Sequence, residues 1–204
     1  MNWLSLASRC CWSLMIDTSI YHITFLRYGE SIGNAEDRFQ GHADFPLNEK
    51  GRTQARSLSE RWQVEGVTFD TCISSPLLRA CQTAEIICAT LKIPIELDPD
   101  WMEINNGLVS GLTPEQAALV SPRPDFMTPY THFGETGESR WELFLRAGRA
   151  IQHILDRSPG RYLVAAHGGG SEHGVVCHSG YSGSGGFRRA TFYVSQHHLC
   201  YIHV

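Results

Sequence analysis

An α/β fold with a mostly parallel sheet and helices on both faces, a three-layer α/β/α arrangement, is what this chain predicts. Three observations carry that expectation. Strand-like runs alternate with helical periodicities along the sequence, the pattern of a parallel sheet covered on both sides. The segments richest in reactive side chains directly follow strand-like runs, where ligand sites of such sheets lie. A length of 204 residues with 42% hydrophobic content suits one domain with one substantial core.

The elements follow in order. Residues 1–19 are apolar in patches, but Arg9 and Asp17 bracket the compact run 10–16. A secretory signal needs its charge before the apolar core and small residues after it, so a disordered leader is expected instead. Residues 20–26 are dense in β-branched and aromatic side chains without Gly or Pro, which predicts a short buried strand. A glycine-containing loop follows. Asn48 is placed to cap a helix running to about Gln63, in which Ala55, Leu58 and Trp62 share a face and Gly66 closes the end.

Residues 69–74 form a second strand, ended by Ser75-Pro76. Ala80, Ala84, Ile87 and Leu91 recur at helical intervals and predict a second helix; residues 93–97 form a third strand. Residues 98–136 are loop-rich, with one short helix opening at Thr113-Pro114, a capping residue followed by proline at the first helical position. Trp141, Phe144, Ile151, Ile154 and Leu155 define an amphipathic helix over 139–156. Residues 162–166 form a fourth strand that runs straight into His167-Gly168-Gly169.

The composition then changes. Residues 168–204 hold eight glycines and five histidines, no lysine, and Glu172 as the only acid. Only 189–194 and 199–204 have strand character. The expected division is a leader over 1–19, a domain over 20–169, and a Gly/His-rich tail over 170–204 that completes or replaces the end of the domain.

Charge and cysteine content narrow the function classes. A formal net charge of −4 argues against general nucleic-acid affinity, which needs a basic footprint. An anionic substrate must then be met by a local group of arginines. Seven cysteines without a CxxC pair read as buried free thiols, with Cys72, Cys81 and Cys88 in apolar segments; a reducing, cytoplasmic location is expected. No uninterrupted apolar run reaches the ~18 residues of a membrane span, so no membrane partner is expected. His197 and His198 are adjacent rather than at metal-binding helical spacing.

Phosphoryl transfer is the chemistry these strand ends suggest. The transferred group spreads negative charge over its oxygens, and catalysis is mainly positioning and positive potential. Arg27 and Arg79, each just beyond a strand, would grip such oxygens through paired donors, and His167 would add another.

Ordered motifs carry a resemblance. Leu26-Arg27-Tyr28-Gly29-Glu30-Ser31 with Asn34, then Gly41, Asp44, Pro46, Leu47 and Gly51, then Ser74-Ser75-Pro76-Leu77-Leu78-Arg79-Ala80 with Gln82-Thr83-Ala84, then Glu103 with Gly107 and Gly111, Gly137-Glu138-Ser139, and Val164-Ala165-Ala166-His167-Gly168-Gly169 together resemble the histidine phosphatase (phosphoglycerate mutase-like) superfamily. The resemblance covers about residues 20–169.

It implies a phosphoglycerate mutase-like fold, and phosphomonoester hydrolysis or mutase-type phosphate transfer through a phosphohistidine. Arg27, Asn34, Arg79 and His167 would bind phosphate, Glu103 would be the general acid, and Glu30 would orient the loop. A small phosphorylated substrate or inorganic phosphate is the implied partner, with no metal or organic cofactor. Tyr28 departs from the pattern, standing where the family carries its nucleophilic histidine. A phenol ionises near pH ~10 and its oxygen reaches further from the backbone, so the covalent step is expected to be strongly impaired. The alternative is a non-catalytic phosphate-binding protein. The tail is the second departure, since the family continues there with an apolar helix and further strands.

Overall fold

Alternation along the first strand decides the layering. The computed structural model describes residues 20–168, 189–195 and 198–201. In β1 (Ile20–Arg27) the side chains of Tyr21, Ile23 and Phe25 join one core cluster, while Leu26 joins a second. This is the two-residue period of a strand buried on both faces. β4 (Arg161–Ala166) repeats the division, with Tyr162 and Val164 in the first cluster and Leu163 and Ala165 in the second.

Among the described residues the sheet has six strands in the order β3-β2-β4-β1-β5-β6. β2 (Thr71–Ser74) and β3 (Ile95–Leu97) pair in parallel, as do β2 with β4 and β4 with β1. β5 (Arg189–Ser195) runs antiparallel to β1, and β6 (His198–Tyr201) antiparallel to β5. The expected leader lies outside the described residues, as does the tail apart from these two strands.

On one face lie α2 (Glu49–Val64) and α3 (Leu78–Leu91), which bring Leu58, Trp62, Ala84 and Ile87 onto Leu26, Leu163 and Ala165. The other face is covered by α5 (Arg140–Leu155), whose Ala150 and Ile154 pack on Ile23, Phe25 and Val164. The three-layer, mostly parallel architecture predicted from the sequence is therefore the observed one. Two short helices complete it: α1 (Ile32–Ala35), capped by Ser31, and α4 (Pro114–Val120), capped by Thr113.

Three readings need correction. β3 begins two residues later than expected, at Ile95, because Pro94 has no N–H to give to a ladder. The buried line of α5 is Leu143, Ala150 and Ile154, whereas Trp141 and Phe144 are 44% and 47% exposed. At 3.6 residues per turn those aromatics sit roughly 140° and 80° round the helix from Ile154. They stack on each other, with Tyr130 against Trp141. Cys72 and Cys88 are buried free thiols, but Cys81 is only partly so. A hydrogen bond with Cys88, then burial, pushes the Cys72 thiol up, which keeps it protonated. Among the described residues no helix is long and apolar enough to cross a membrane.

Candidate active site

β2, β4 and β1 lie side by side and parallel, so their carboxyl ends share one edge of the sheet. Ser75 follows β2, His167 follows β4, and Arg27 closes β1 with Tyr28 next. Arg79 enters from the first turn of α3. Side chains far apart in sequence are thus delivered to one place by strand order alone.

Tyr28 stands at the centre. Its ring is buried, with the Arg79 guanidinium carbon 5.0 Å and the Arg27 guanidinium carbon 5.6 Å from the ring centroid. Cations at such distances are held by the ring quadrupole. The His167 ring meets it at 5.2 Å between centroids, tilted by 57°. The phenol oxygen accepts from Gln40 Nε2 at 3.3 Å, and Gln40 Oε1 in turn accepts from Ser31 Oγ at 2.7 Å. The ring therefore sits among the cations while its oxygen is tied to Gln40.

Arg79 is fully buried, and its guanidinium donates to the carbonyls of Gly41 at 2.8 Å and Ala43 at 3.2 Å. Its Nε and the Nδ1 of His167 are buried without a hydrogen-bond partner among the described residues. His167 Nε2 lies 2.8 Å from Ser75 Oγ, which itself accepts from the Leu77 amide at 3.3 Å. With the Ser75 hydroxyl donating to Nε2, Nδ1 carries the ring proton; in the other tautomer Nε2 donates to Ser75 Oγ. Burial first, then the positive charge of Arg79, Arg146 and Arg27, holds the His167 imidazole well below its usual range, so the ring is neutral at pH 7. The neutral His167 ring, the buried Arg79 and the exposed Arg27 thus surround one aromatic ring, a donor set that suits an anion.

The loop after β1 is braced against α2. The Glu30 carboxylate accepts from Asn48 Nδ2 at 2.8 Å and pairs with Lys50 Nζ at 2.6 Å, which holds it below the usual carboxylate range, Lys50 contributing most. Glu30 also donates its amide to Gln54 Oε1 at 2.9 Å. Gly29 donates to Thr83 Oγ1 at 3.1 Å, and Thr83 donates to the Arg79 carbonyl at 2.7 Å. One hydroxyl thus links the Tyr28 loop to the helix carrying Arg79. Asn34 is exposed on α1; its Oδ1 accepts from the Ser31 amide at 3.1 Å and its own backbone amide donates to Ser31 Oγ at 3.1 Å, a capping box.

Glu103 lies on the irregular stretch after the 3₁₀ turn Pro99–Trp101. Its Oε1 accepts from the Ile104 amide at 2.9 Å, and its carbonyl receives His42 Nε2 at 2.8 Å and Arg146 Nη2 at 3.2 Å. His42 sits between Gly41 and Ala43, whose carbonyls Arg79 holds, so one short segment connects the Glu103 stretch to Arg79. Sequence reasoning missed Gln40, His42, Ser75 and Arg146 as parts of this site. Ser75 stands within a motif already singled out, without a role of its own there, and Gln40 and His42 flank the motif residue Gly41. Arg146 gives no local signal for this role, since the three carbonyls it holds lie more than forty residues away.

Comparison with known proteins points the same way. The family model for the histidine phosphatase superfamily (branch 1) matches residues 23–195. Phosphoglycerate mutase-like protein 4 of Arabidopsis thaliana is 35% identical over 164 residues, 75% of this chain and 69% of that protein. Among solved structures, Bacillus stearothermophilus YhfR has a TM-score of 0.73 at 27% identity, covering 89% of this chain and 95% of its own. A mycobacterial glucosyl-3-phosphoglycerate phosphatase in complex with VO3 has a TM-score of 0.64 at 27% identity, covering 74% of this chain and 77% of its own.

Proposed function

The chain belongs to the histidine phosphatase superfamily, and from that premise we propose that its site is a phosphomonoester hydrolase site whose covalent step is disabled by Tyr28. The observation that carries this reading is the Tyr28 ring lodged between Arg27, Arg79 and His167 with its oxygen bound to Gln40.

In the phosphohistidine route an imidazole nitrogen attacks phosphorus, the P–O bond to the alcohol breaks, and an acid gives the departing oxygen a proton. Water then attacks phosphorus, losing a proton to the group that served as acid; the N–P bond breaks and inorganic phosphate leaves the free imidazole. Arg27, Arg79 and the Nδ1–H of His167 are the groups we assign to the phosphate oxygens, with the Asn34 amide nitrogen at the rim. Glu103 is assigned the proton donation, and Glu30 the bracing of the loop. At position 28 the phenol presents an oxygen held by Gln40, at a different reach from an imidazole nitrogen. In-line attack tolerates such displacement poorly; about 1 Å costs ~100-fold.

A second reading, phosphate binding without turnover, is favoured by Arg79 Nε and His167 Nδ1, both buried and without a hydrogen-bond partner among the described residues. Both readings share one anion site and differ in whether residual hydrolysis persists. Mutase-type transfer between hydroxyls is the alternative chemistry, and the name of the Arabidopsis relative points to it.

Calorimetric titration with inorganic phosphate, run beside an aryl phosphate assay, tests the proposal. The expected result is saturable phosphate binding, weakened at least ~10-fold in Arg79→Met by loss of charge-assisted donors, with little or no turnover. Absence of binding would remove the anion-site assignment. Rapid turnover would remove the role given to Tyr28.

A further inference from the structure

Arg146 of α5 stands out because its donors tie one carboxylate to the carbonyls of a distant turn. A guanidinium carries five N–H donors in one plane. Arg146 makes five contacts: Nε to Glu138 Oε1 at 2.9 Å, Nη2 to Glu138 Oε2 at 2.7 Å and to the Glu103 carbonyl at 3.2 Å, and Nη1 to the carbonyls of Asp100 at 2.9 Å and Met102 at 2.8 Å. The ion pair is sheltered, with Arg146 and Glu138 side chains 15% and 14% exposed. Three carbonyls of the turn leading into Glu103 therefore find their donor in a single side chain.

The rest of α5 acts on the same turn. Arg149, one helical turn on, binds the Asp100 carboxylate through Nε at 2.7 Å and Nη2 at 2.6 Å. Glu138 accepts from the Asn105 amide at 3.4 Å, and its own amide donates to the Asn105 carbonyl at 2.7 Å. From the opposite side comes the His42 ring. Residues 102–106 have no helix or strand of their own, so these contacts are what fixes their path.

We propose that Arg146 is a positioning residue for Glu103, setting where the proton donor sits relative to the departing oxygen. This rests on the reading of Glu103 as the acid. Lysine cannot replace it, because one ammonium cannot span a carboxylate and three carbonyls pointing in different directions. If the Glu103 carboxyl shifts by about 1 Å, proton delivery weakens by up to ~100-fold. The loss falls on substrates whose leaving group needs the proton.

The test uses the Tyr28→His chain, which supplies turnover, and compares an alkyl phosphate with p-nitrophenyl phosphate, whose leaving group departs without protonation. Arg146→Lys should lower alkyl phosphate turnover by ~30–100-fold and aryl turnover by no more than ~3-fold. Glu103→Gln should show the same signature, and the double variant should lose little more than either single one. Glu138→Gln, which keeps the three carbonyl contacts, should lose less. Equal losses on both substrates would overturn the proposal, since a general loosening does not discriminate between leaving groups. Amide hydrogen exchange in the unsubstituted chain and in Arg146→Lys supplies a readout free of catalysis. Exchange should rise at residues 100–105 while α5 keeps its protection, and unchanged exchange there would overturn the proposal as well. If Tyr28→His shows no turnover on either substrate, the functional reading of the site fails, and exchange alone decides whether Arg146 holds the turn.

Discussion

Gly51 and Gly148 both lie inside helices, and helix propensity alone gives their alanine substitutions the same sign, a gain of ~0.5–1 kcal/mol each. The surroundings separate them. A Cβ at Gly148 meets nothing within 4 Å. A Cβ at Gly51 falls inside the contact radius of the Glu30 carbonyl oxygen and 2.7 Å from the Glu30 nitrogen, where ordinary contact begins at 3.4 Å. The obstructing atoms are backbone, so no rotamer change relieves them. The loop carrying Tyr28 must retreat from α2 by about 1 Å, the carbonyl oxygen setting the distance. That strains the bonds from the Glu30 amide to Gln54 at 2.9 Å and from the Asn48 amide to the Glu30 carbonyl at 3.0 Å. Overpacking of this kind costs ~1–3 kcal/mol, and each weakened hydrogen bond adds up to ~1 kcal/mol. A net loss of ~3 kcal/mol is expected for Gly51→Ala. At ~2–4 °C per kcal/mol for a chain of this size, Tm should fall by ~6–12 °C, against a rise of ~1–4 °C for Gly148→Ala. Differential scanning calorimetry reads both. Gly51→Ala should also weaken phosphate binding, because the displaced loop carries Tyr28 next to Arg27. A Tm for Gly51→Ala within about 2 °C of the parent would refute the claim that close packing of these two backbones holds the site.

Other expectations are briefer. His167 is held neutral in the folded state, well below its ordinary value of 6.5, so below that pH the unfolded chain takes up a proton the folded one refuses. Its contribution to stability is complete above 6.5 and is lost as pH falls from there towards the folded value, at no more than ~1.4 kcal/mol per pH unit. Urea melts at pH 7 and pH 5 should show a smaller acid loss for His167→Asn than for the parent; equal losses would contradict the assignment. Tyr28→Phe keeps the ring among the guanidinium groups and strands Gln40 Nε2, which should cost ~1 kcal/mol in urea melts and leave phosphate affinity unchanged. A large drop in affinity would show that the phenol oxygen takes part in binding.

Much of the fold was legible because its signals are local. Asn48 and Thr113 cap α2 and α4 as their positions predict, each accepting from a backbone amide in the first turn. β1, β2 and β4 follow from dense β-branched and aromatic runs, and their order explains why Arg27 and His167 meet Tyr28. The outward face of α5 was misread because Trp141 and Phe144 are large and apolar, and periodicity weighs size without knowing that they stack on each other instead of the sheet. Within the site, strand-end logic reached Arg27, Arg79 and His167. It could not reach Gln40 or His42, which sit on a loop whose path is set by Arg79 binding its carbonyls. Arg146 was invisible for a related reason: its role lies in backbone carbonyls of a distant turn, and a carbonyl has no sequence.

The most direct test of the central claim is hydrolysis of an aryl phosphate by this chain and by Tyr28→His, measured side by side. Restoring an imidazole among Arg27, Arg79 and His167 should raise turnover by at least ~100-fold, the scale of regaining a nucleophile. Equal turnover in the two proteins would contradict the account, because Tyr28 would then not be what separates this site from a working one.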